Sequence, residues 1–261
     1  MAKSGQARVP TSAEKKHLFD VIKEHRHPEK NTAIMQISFK LGLRVQEIAL
    51  LELKEVCQLG RITKRVPRGF KLLEIMSLPA AYTKGADALG RSKSKYERKT
   101  VSFSIEEFNR IVHQVETLAK AGAEIIPSDF YPEVKKHKGK SRDLPMVDVD
   151  LRYALNEYLT IRLEHDHNAK PGDPLFINQK GGPYSPNTLQ EHMALMLRGW
   201  AGIEKASSHS GRRDLITNVI HKQKKSVKVA QKIAGHVNPS TTIIYEEPPE
   251  EEITEALKNT T

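Results

Sequence analysis

Two basic side chains three residues apart, His209 and Arg212, are the first residues of this sequence whose types and spacing suit chemistry. They lie in the segment S-S-H-S-G-R-R-D-L at 207–215, where Ser208 can cap a helix. Residues three apart share a helix face, so an imidazole and a guanidinium would lie beside the free N–H groups of the first turn. This pattern suits an anion such as phosphate, although a solvated helix start is the ordinary alternative.

A histidine and a tyrosine nine residues apart form a second candidate pair. In I-A-G-H at 233–236, Gly235 is suited to end a helix in the left-handed conformation, which leaves His236 just beyond the helix. Tyr245 closes the segment N-P-S-T-T-I-I-Y, and a positioned tyrosine hydroxyl can act as a nucleophile. Taken singly, each of these residues is more commonly a packed side chain whose polar atoms are satisfied.

An arginine and a glutamate upstream form the third candidate. In G-L-R-V-Q-E-I-A-L-L, Gly42 is expected to end one helix and Arg44 to begin the next. Glu47 follows three residues later, so its carboxylate can contact the Arg44 guanidinium. An exposed ion pair of this kind contributes little to stability, and it needs no functional explanation by itself.

In their order and spacing these segments resemble the motifs of the tyrosine recombinase (phage integrase) family. The family's G-L-R-x-x-E-(I/L) motif is matched by residues 42–48, and its H-x-x-R motif by residues 209–212. Its (L/I)-x-G-H motif is matched at 233–236, and the final tyrosine at 245. The resemblance covers most of residues 12–245 and implies a mainly α fold with a small antiparallel β-sheet (α+β), the tyrosine recombinase DNA breaking-rejoining catalytic domain.

The resemblance also implies a mechanism without metal, ATP or another cofactor. Tyr245 would attack the scissile phosphate and form a 3′-phosphotyrosine, a covalent intermediate that preserves the phosphodiester energy. Arg44 and Arg212 would hold the non-bridging oxygens with their planar guanidinium groups. His209 and His236 would hydrogen-bond the phosphate or assist proton transfer.

Two further roles follow from the same resemblance. Glu47 corresponds to the acid that supports the first arginine. The segment Y-P-E-V-K-K-H-K-G-K-S-R-D-L-P-M at 131–146 resembles the family's β-hairpin, whose lysine protonates the leaving 5′-oxygen. The family pattern places His137 at that lysine's position, so Lys136 or Lys138 is the candidate general acid. Lys136, expected at the end of the first strand, is preferred.

The charge of the chain points to a polyanionic partner. The formal net charge is +10 and the isoelectric point about 9.5, which favours nucleic acid. Residues 1–245 hold 41 basic and 26 acidic residues, because the segment after Tyr245 is acidic. The residues expected to contact DNA are Arg61, Lys64, Arg65, Arg68, Lys93, Lys95, Lys140, Arg142 and Arg213.

Composition along the chain divides it into three parts. Residues 1–10 are expected to be a disordered basic lead, 11–245 the catalytic domain, and 246–261 an acidic tail. Family members usually carry an N-terminal DNA-clamping domain before the first motif, and we expect it to be absent here. The basic insertion 61–99 is its expected substitute, with an exposed loop as the alternative. The tail either docks on a neighbouring protomer or is solvated.

Helices are expected to position all the candidate residues. Apolar periodicity and capping signals predict helices over about 12–25, 31–42, from Arg44 onward, 105–119, 151–162, 186–200, 208–222, 226–234 and 239–245. A strand is expected in F-K-L-L-E-I-M-S-L at 70–78, and 175–177 should be a short buried piece. One cysteine, Cys57, excludes a disulfide within the chain, and no apolar run approaches the length of a membrane span.

These observations predict a cytoplasmic recombinase of a prokaryotic cell, virus or mobile element, with no membrane association. We expect it to integrate or excise DNA by site-specific strand exchange through a Holliday junction, as a homotetramer on double-stranded DNA and a monomer alone. A type IB topoisomerase, which resembles the family in its active site, is the first alternative. A DNA-binding relative that has lost catalysis is the second.

Overall fold

The computed structural model describes residues 7–61, 69–79, 82, 104–130, 141–236, 238–245 and 257–258. These residues form a mainly α-helical fold with two small antiparallel sheets, as the sequence predicts. The α-helices are Ser12–Lys23 (α1), Pro28–Gln36 (α2), Val45–Leu50 (α3), Ile105–Lys120 (α4), Val149–His165 (α5), Pro186–Ala194 (α6), Ser210–Thr217 (α7), Val227–Ala234 (α8) and Ser240–Ile243 (α9). The strands are Cys57–Leu59 (β1), Phe70–Leu72 (β2), Ile75–Leu78 (β3) and Arg142–Pro145 (β4).

Three helices continue into a π-helical turn: α2 through Ile37–Leu41, α6 through Leu195–Trp200 and α7 through Asn218–Lys222. Such turns widen a helix locally and are frequent at functional sites. The first one leads directly to Gly42 and Arg44, and the third follows the helix that carries Arg212. The predicted long helices over 31–42, 186–200 and 208–222 are therefore present as α-helix followed by π turn.

Local capping explains where the helices begin. The predicted capping box before α1 is present, since the Thr11 hydroxyl accepts from the Glu14 N–H and the Glu14 carboxylate accepts from the Thr11 N–H. The second helix begins earlier than predicted, at Pro28 and not at Asn31. Proline fixes φ at a helical value and lacks an N–H that a first turn leaves unpaired, so it starts this helix.

The main core lies where α2 packs against α5 and α1. Leu18 and Ile22 of α1, Ile34 of α2, and Leu155 and Leu159 of α5 are fully buried in it. A second, smaller cluster joins the α7 region to α8 and includes Ile216, Val219, Ile220, Ala230 and Ala234, with Tyr245 packed against it. Tyr245, the candidate nucleophile, thus lies at the edge of this second cluster.

Two small antiparallel sheets contain all the described strands. Strand β1 pairs with β2 in the register Cys57↔Leu72, and β3 pairs with β4 from Ile75↔Pro145 to Leu78↔Arg142. One partner of β4 is therefore β3, which lies far upstream; β4 forms the end of the predicted hairpin at 131–146, whose residues 131–140 lie outside the described residues. Residues 79–141 connect β3 and β4. The predicted strand at 70–78 is two strands, β2 and β3, which lie in different sheets, although these residues fall within the expected basic insertion 61–99.

Helix α4 lies within this connection. Its predicted capping box is present between Ser104 and Glu107, and its bounds agree with the apolar periodicity. Among the described residues, however, none of its side chains is buried, and Phe108 is 57% exposed. Within the described part of the chain, no helix is long and apolar enough to cross a membrane.

Candidate active site

Arg44 is held at the start of α3 by the turn that precedes it. Gly42 adopts φ +62°, which ends the π turn, and Arg44 is the extended N-cap residue of α3. The Arg44 N–H donates to Glu47 Oε2 at 2.7 Å, and Arg44 Nη1 donates to Glu47 Oε1 at 3.1 Å. The predicted contact between these two residues is present. The backbone N–H and the guanidinium of Arg44 are thus both fixed by one carboxylate.

Glu47 is a fully buried carboxylate with two arginine partners. Its side chain has 0% exposure, and its second partner is Arg142, whose Nη2 lies 2.6 Å from Glu47 Oε2. Arg142 Nη1 donates to the backbone oxygen of Ile233 at 2.9 Å. A buried carboxylate needs such compensation, because an unpaired charge in the interior is costly.

Arg142 is therefore not the DNA contact expected from the sequence. Its side chain is 9% exposed, and two of its guanidinium nitrogens are engaged by Glu47 and Ile233. Arg142 lies at the start of β4 opposite Leu78, and from there its guanidinium reaches Glu47 and Ile233. Burial lowers the pKa of Arg142, while the Glu47 carboxylate opposes that shift.

Arg212 lies in the first turn of α7 and joins three parts of the chain. Its Nη1 donates to the Gly42 oxygen at 2.6 Å, and its Nη2 donates to the Ala234 oxygen. The Arg212 residue is 3% exposed. The helix can approach this closely because residue 211 is glycine: a Cβ there would collide with Ser38. Backbone oxygens orient the guanidinium without neutralising its charge.

The electrostatics of the site are strongly positive. Three guanidinium groups, those of Arg44, Arg142 and Arg212, surround the single carboxylate of Glu47. Burial first, and then the charge of Arg44, lower the pKa of Arg212 to about 9, so Arg212 is still cationic at neutral pH. The excess positive charge can be compensated by a phosphate anion.

His236 is buried beside this cluster in the neutral form. The preceding Gly235 has φ +63° and ends α8, as predicted. His236 Nδ1 lies 2.8 Å from the Thr242 hydroxyl oxygen, which fixes the ring. Burial, followed by the charges of Arg212 and Arg44, lowers the pKa of His236 to about 3. The neutral imidazole can therefore donate a hydrogen bond to an oxyanion or accept one from a phenol.

Tyr245 lies against His236 and is held through its main chain. The two rings are stacked with centroids 6.0 Å apart and planes at 21°. The Tyr245 N–H donates to the Thr242 oxygen at 2.9 Å, and the Tyr245 oxygen lies 3.0 Å from His221 Nε2. The guanidinium carbon of Arg213 lies 6.0 Å from the Tyr245 ring centroid. The tyrosine is thus brought to the same place as Arg212 and His236.

His209 and Ser208 differ in part from the prediction. His209 is exposed and is itself the N-cap residue of α7, which begins at Ser210. Ser208 does not cap the helix, because it is 2% exposed and turned inward. Instead, the Ser210 hydroxyl accepts from the Ser207 N–H at 2.9 Å. His209 is nevertheless within one turn of Arg212, as its spacing requires.

The remaining candidates divide into those that the structure describes and those that it does not. Arg61 is exposed. Arg213 is partly buried and donates to the Ala7 oxygen at 3.0 Å, beside Tyr245. The residues Lys64, Arg65, Arg68, Lys93, Lys95, Lys136, Lys138 and Lys140 lie outside the described residues.

Sequence reasoning missed several residues that support the site. Thr242, which contacts His236, lies in the segment that ends at Tyr245 but was given no role, and His221, which contacts the Tyr245 main chain, belongs to no motif used above. Asp214 is 5% exposed and is paired with Lys15 at 2.9 Å, which ties α7 to α1. In the sequence, Asp214 could have been noticed only as an acidic residue two positions after Arg212 in a basic segment.

The comparisons with known proteins agree with this geometry. Residues 123–252 match the phage integrase family. The chain contains a catalytic domain of this family. The matched range includes His209, Arg212, His236 and Tyr245, whereas Arg44 and Glu47 precede it. In the structure these two residues contact or neighbour matched residues, since Arg142 binds Glu47 and Arg212 binds Gly42.

Individual relatives are tyrosine recombinases. The chain is 33% identical over 107 residues to tyrosine recombinase XerC of Methylobacterium nodulans, which covers 41% of this chain and 31% of that protein. It is 30% identical over 131 residues to XerC of Mesorhizobium japonicum, covering 50% of this chain and 40% of the relative. The chain therefore matches less than half the length of these curated relatives.

Solved structures show the same fold. A crystal structure of XerA recombinase superposes with a TM-score of 0.59 at 18% identity, covering 97% of this chain and 65% of that one. The structure of the Tn1549 transposon integrase in complex with transposon right end DNA superposes with a TM-score of 0.53 at 15% identity. The match covers 100% of this chain and 69% of the integrase chain. At these identities the likeness establishes the fold, and the chemistry depends on the side chains described above.

Proposed function

We propose that this chain is a site-specific DNA recombinase that cuts and rejoins double-stranded DNA through a covalent bond between Tyr245 and a DNA phosphate. The observation that carries the proposal is the convergence of four side chains from distant parts of the chain. Arg44, Arg212, His236 and Tyr245 come from α3, α7, the end of α8 and the end of α9. Their residue types supply a nucleophile, two cations and a neutral imidazole around one position.

The proposed reaction is a pair of transesterifications. The Tyr245 hydroxyl gives up its proton as its oxygen attacks phosphorus, the P–O5′ bond breaks, and the 5′-oxygen leaves with a proton from a general acid. In the second half, a 5′-hydroxyl of another strand attacks the 3′-phosphotyrosine, gives up its proton and releases Tyr245. One phosphate ester replaces another in each step, so no ATP is consumed. No step requires a metal ion, because arginines can supply the positive charge.

The arginines would stabilise the charge that develops on the phosphorane oxygens. Both guanidinium groups are fixed before DNA binds, Arg44 by Glu47 and Arg212 by two backbone oxygens. Fixed donors stabilise a transition state without reorganising during the reaction. Since a single carboxylate accompanies three arginines, the site retains positive charge for the incoming phosphate.

The histidines and a lysine would manage the protons. His236, neutral and stacked on Tyr245, is placed to accept a hydrogen bond from the phenol or to donate one to the phosphate. His209 would hydrogen-bond the phosphate from the start of α7. Lys136 is our preferred general acid for the 5′-oxygen, with Lys138 as the alternative. Arg213, near the Tyr245 ring, would help to position the nucleophile.

The proposed partner is double-stranded DNA, and the proposed assembly on DNA is a homotetramer that passes through a Holliday junction. Integration or excision of a mobile element is the biological reaction that fits this chemistry. The exposed Arg61 and the basic residues at 64–68, 93–95 and 140 would contact the phosphate backbone. Light scattering should give the mass of a single protomer for the free protein and of four protomers on a synthetic junction.

A suicide substrate tests the proposal. On DNA nicked just beyond the cleavage site, the short fragment that carries the new 5′-hydroxyl diffuses away, so the strand cannot be rejoined and the covalent intermediate accumulates. The wild-type chain should give a protein–DNA adduct in denaturing electrophoresis, and Tyr245→Phe should give none. Tyr153→Phe is the matched control, because Tyr153 is 67% exposed on α5, and it should give the wild-type yield. An adduct in Tyr245→Phe would identify a different nucleophile.

The same assay separates the alternatives. A type IB topoisomerase would relax a supercoiled plasmid that lacks a target site, whereas a recombinase should require the site. A relative without catalysis would bind DNA but form no adduct with the wild-type chain. The fixed arginines and the stacked His236–Tyr245 pair favour the active enzyme over this last alternative.

A further inference from the structure

A cavity of about 480 Å³ lies at the N-terminal end of α2, away from the site just described. It is bounded by the end of α1, the loop at 178–184 and the π turn after α6. Arg44 follows the opposite end of the same helical segment. Residues 28–41 separate the two sites, which corresponds to roughly 20 Å at the helical rise per residue.

Lys30 is the most informative residue of this cavity. It is only 7% exposed, and its Nζ donates to the Ile177 oxygen at 3.1 Å and lies 5.7 Å from the Tyr184 ring centroid. Among the described residues, no carboxylate lies within ion-pair distance of it. Burial lowers the pKa of Lys30. A buried amine without a counter-ion is costly, and an anionic ligand would supply the missing charge.

The other charges around the cavity have the same sign. Arg26 and Lys180 are exposed at its edge, and no aspartate or glutamate is among the described residues that line it. An adjoining cavity of about 400 Å³ shares Lys30 but contains Glu29 and Asp166. Acidic residues are thus confined to that neighbouring space. The N-terminus of α2 has no side-chain cap, so its dipole adds positive potential on the same side.

An aromatic wall forms the other side. The rings of His25 and Trp200 are stacked with centroids 3.8 Å apart, and His192 meets Trp200 edge-on at 6.0 Å. His192 Nε2 lies 2.8 Å from Asn31 Oδ1. Burial lowers the pKa of His192 to about 4, so its ring is neutral and acts as a packing and hydrogen-bonding group. The flat surface formed by the His25 and Trp200 rings therefore lies beside the cations Lys30, Arg26 and Lys180.

We propose that this cavity binds a phosphate-bearing ligand of nucleotide size. The phosphate would lie at Lys30, Arg26 and Lys180, and the planar ring would pack on the His25–Trp200 wall. The volume is within the range of small-ligand cavities. Cation clusters and aromatic surfaces together are the features that recognise a phosphate joined to a base.

The sole tryptophan of the chain provides a direct readout, because Trp200 lines the cavity. The full-length Tyr245→Phe protein, which cannot form the covalent adduct, should be titrated with adenosine monophosphate while Trp200 fluorescence is recorded. We expect a saturable change. The Arg26→Ala/Lys180→Ala variant should bind at least ten-fold more weakly, and Lys16→Ala, an exposed lysine of α1 outside the cavity, should bind as the parent does.

The Lys30→Met variant distinguishes a ligand-binding lysine from a lysine that only stabilises the fold. If Lys30 is retained for a ligand, the variant should lose the saturable change while its unfolding temperature stays the same or rises. No saturable response in the parent, or equal affinity in the double variant, would overturn the proposal.

Two sources of the phosphate can be told apart with the same protein. A response to the mononucleotide but not to a duplex oligonucleotide identifies a free ligand. A duplex that produces the response and loses it in the double variant identifies a phosphate of the DNA backbone. The outcome is independent of the recombinase proposal, since it is read by fluorescence in a protein that lacks Tyr245 and not by covalent adduct formation.

Discussion

Arg142 Nη2 lies 2.6 Å from the Oε2 atom of the fully buried Glu47, and this contact links strand β4 to the turn that presents Arg44. The other end of the Arg142 guanidinium binds the Ile233 oxygen near the end of α8. One side chain therefore connects three segments: strand β4, the turn that carries Arg44 and helix α8, which precedes His236. This connection makes Arg142 a positioning residue for the proposed chemistry.

Replacing Arg142 with Met should separate cleavage from DNA binding. The variant leaves Glu47 with one arginine partner, and breaking a buried ion pair costs about 3–5 kcal/mol of stability. Adduct formation on the suicide substrate should fall at least ten-fold. The salt dependence of DNA affinity should not change, because the Arg142 guanidinium is engaged by the Glu47 carboxylate and the Ile233 oxygen and is not expected to contact a phosphate.

The control for Arg142 is Arg198→Met, an exposed arginine after α6, which should leave cleavage and stability unchanged. Chemical denaturation and adduct yield check both variants. A shallower salt dependence in Arg142→Met, with normal stability, would restore the original expectation that Arg142 contacts DNA.

Gly235→Ala should perturb the site through the same arginine. Gly235 has φ +63°, and a Cβ on it would lie 2.8 Å from Arg142 Nη1. Gly202→Ala is a matched control, because Gly202 has φ +64° but nothing lies within 4 Å of the added Cβ. Both variants should lose about 1 kcal/mol from the left-handed backbone. Gly235→Ala should lose more stability than Gly202→Ala and should also form the covalent adduct more slowly. Equal losses of stability and equal adduct yields in the two variants would show that the Arg142 contact is unimportant.

Stability should fall as the pH is lowered below about 6.5. The pKa of His236 in the folded protein is about 3, against 6.5 for the free side chain, so the unfolded chain binds the additional proton between these values. Folding is then penalised at acidic pH, by roughly 2 kcal/mol at pH 5 for this residue. Urea unfolding at pH 7.5 and 5.0 measures the loss.

His236→Gln should show a smaller difference between the two pH values than the wild-type chain. His192, whose pKa is lowered to about 4, contributes a further loss of the same sign. A wild-type stability that is constant from pH 7.5 to 5.0 would contradict a buried neutral His236.

The general acid can be identified by chemical rescue. A 5′-bridging phosphorothiolate leaves without protonation, so it should restore cleavage to a variant that lacks only the acid. Lys136→Ala should be rescued, and Lys138→Ala should cleave the ordinary substrate nearly as well as wild type. Rescue of Lys138→Ala alone would identify Lys138 as the general acid. Adduct yields of the two variants are measured by denaturing electrophoresis.

Helix caps and spacing explain why much of the site could be predicted. Gly42 and Gly235 were expected in the left-handed conformation, and both have it, because glycine alone adopts it without cost. The contact between Arg44 and Glu47 follows from helical periodicity. His209 and Arg212 share a helix start for the same reason, although the cap was placed one residue too early.

Long-range pairing could not be predicted from local patterns. The sequence predicts a hairpin at 131–146 because short hairpins are the usual connection, but it gives no local sign that β4 also pairs with β3, which lies on the other side of α4. The burial of Arg142 follows from that pairing and was missed with it. Similarly, α4 has the periodicity of a core helix but buries no side chain among the described residues. Periodicity identifies a helix, whereas burial depends on what packs against it.

The pairing of β3 with β4 also has a consequence for folding. Leu78 and Arg142 face each other across a closed loop of residues 79–141, and closing a longer loop costs more chain entropy before any contact repays it. Contacts of such sequence separation form slowly. We therefore expect Arg142 to reach Glu47 only once this loop has closed, so a newly made chain must close it before its phosphate-binding arginines are locked in place.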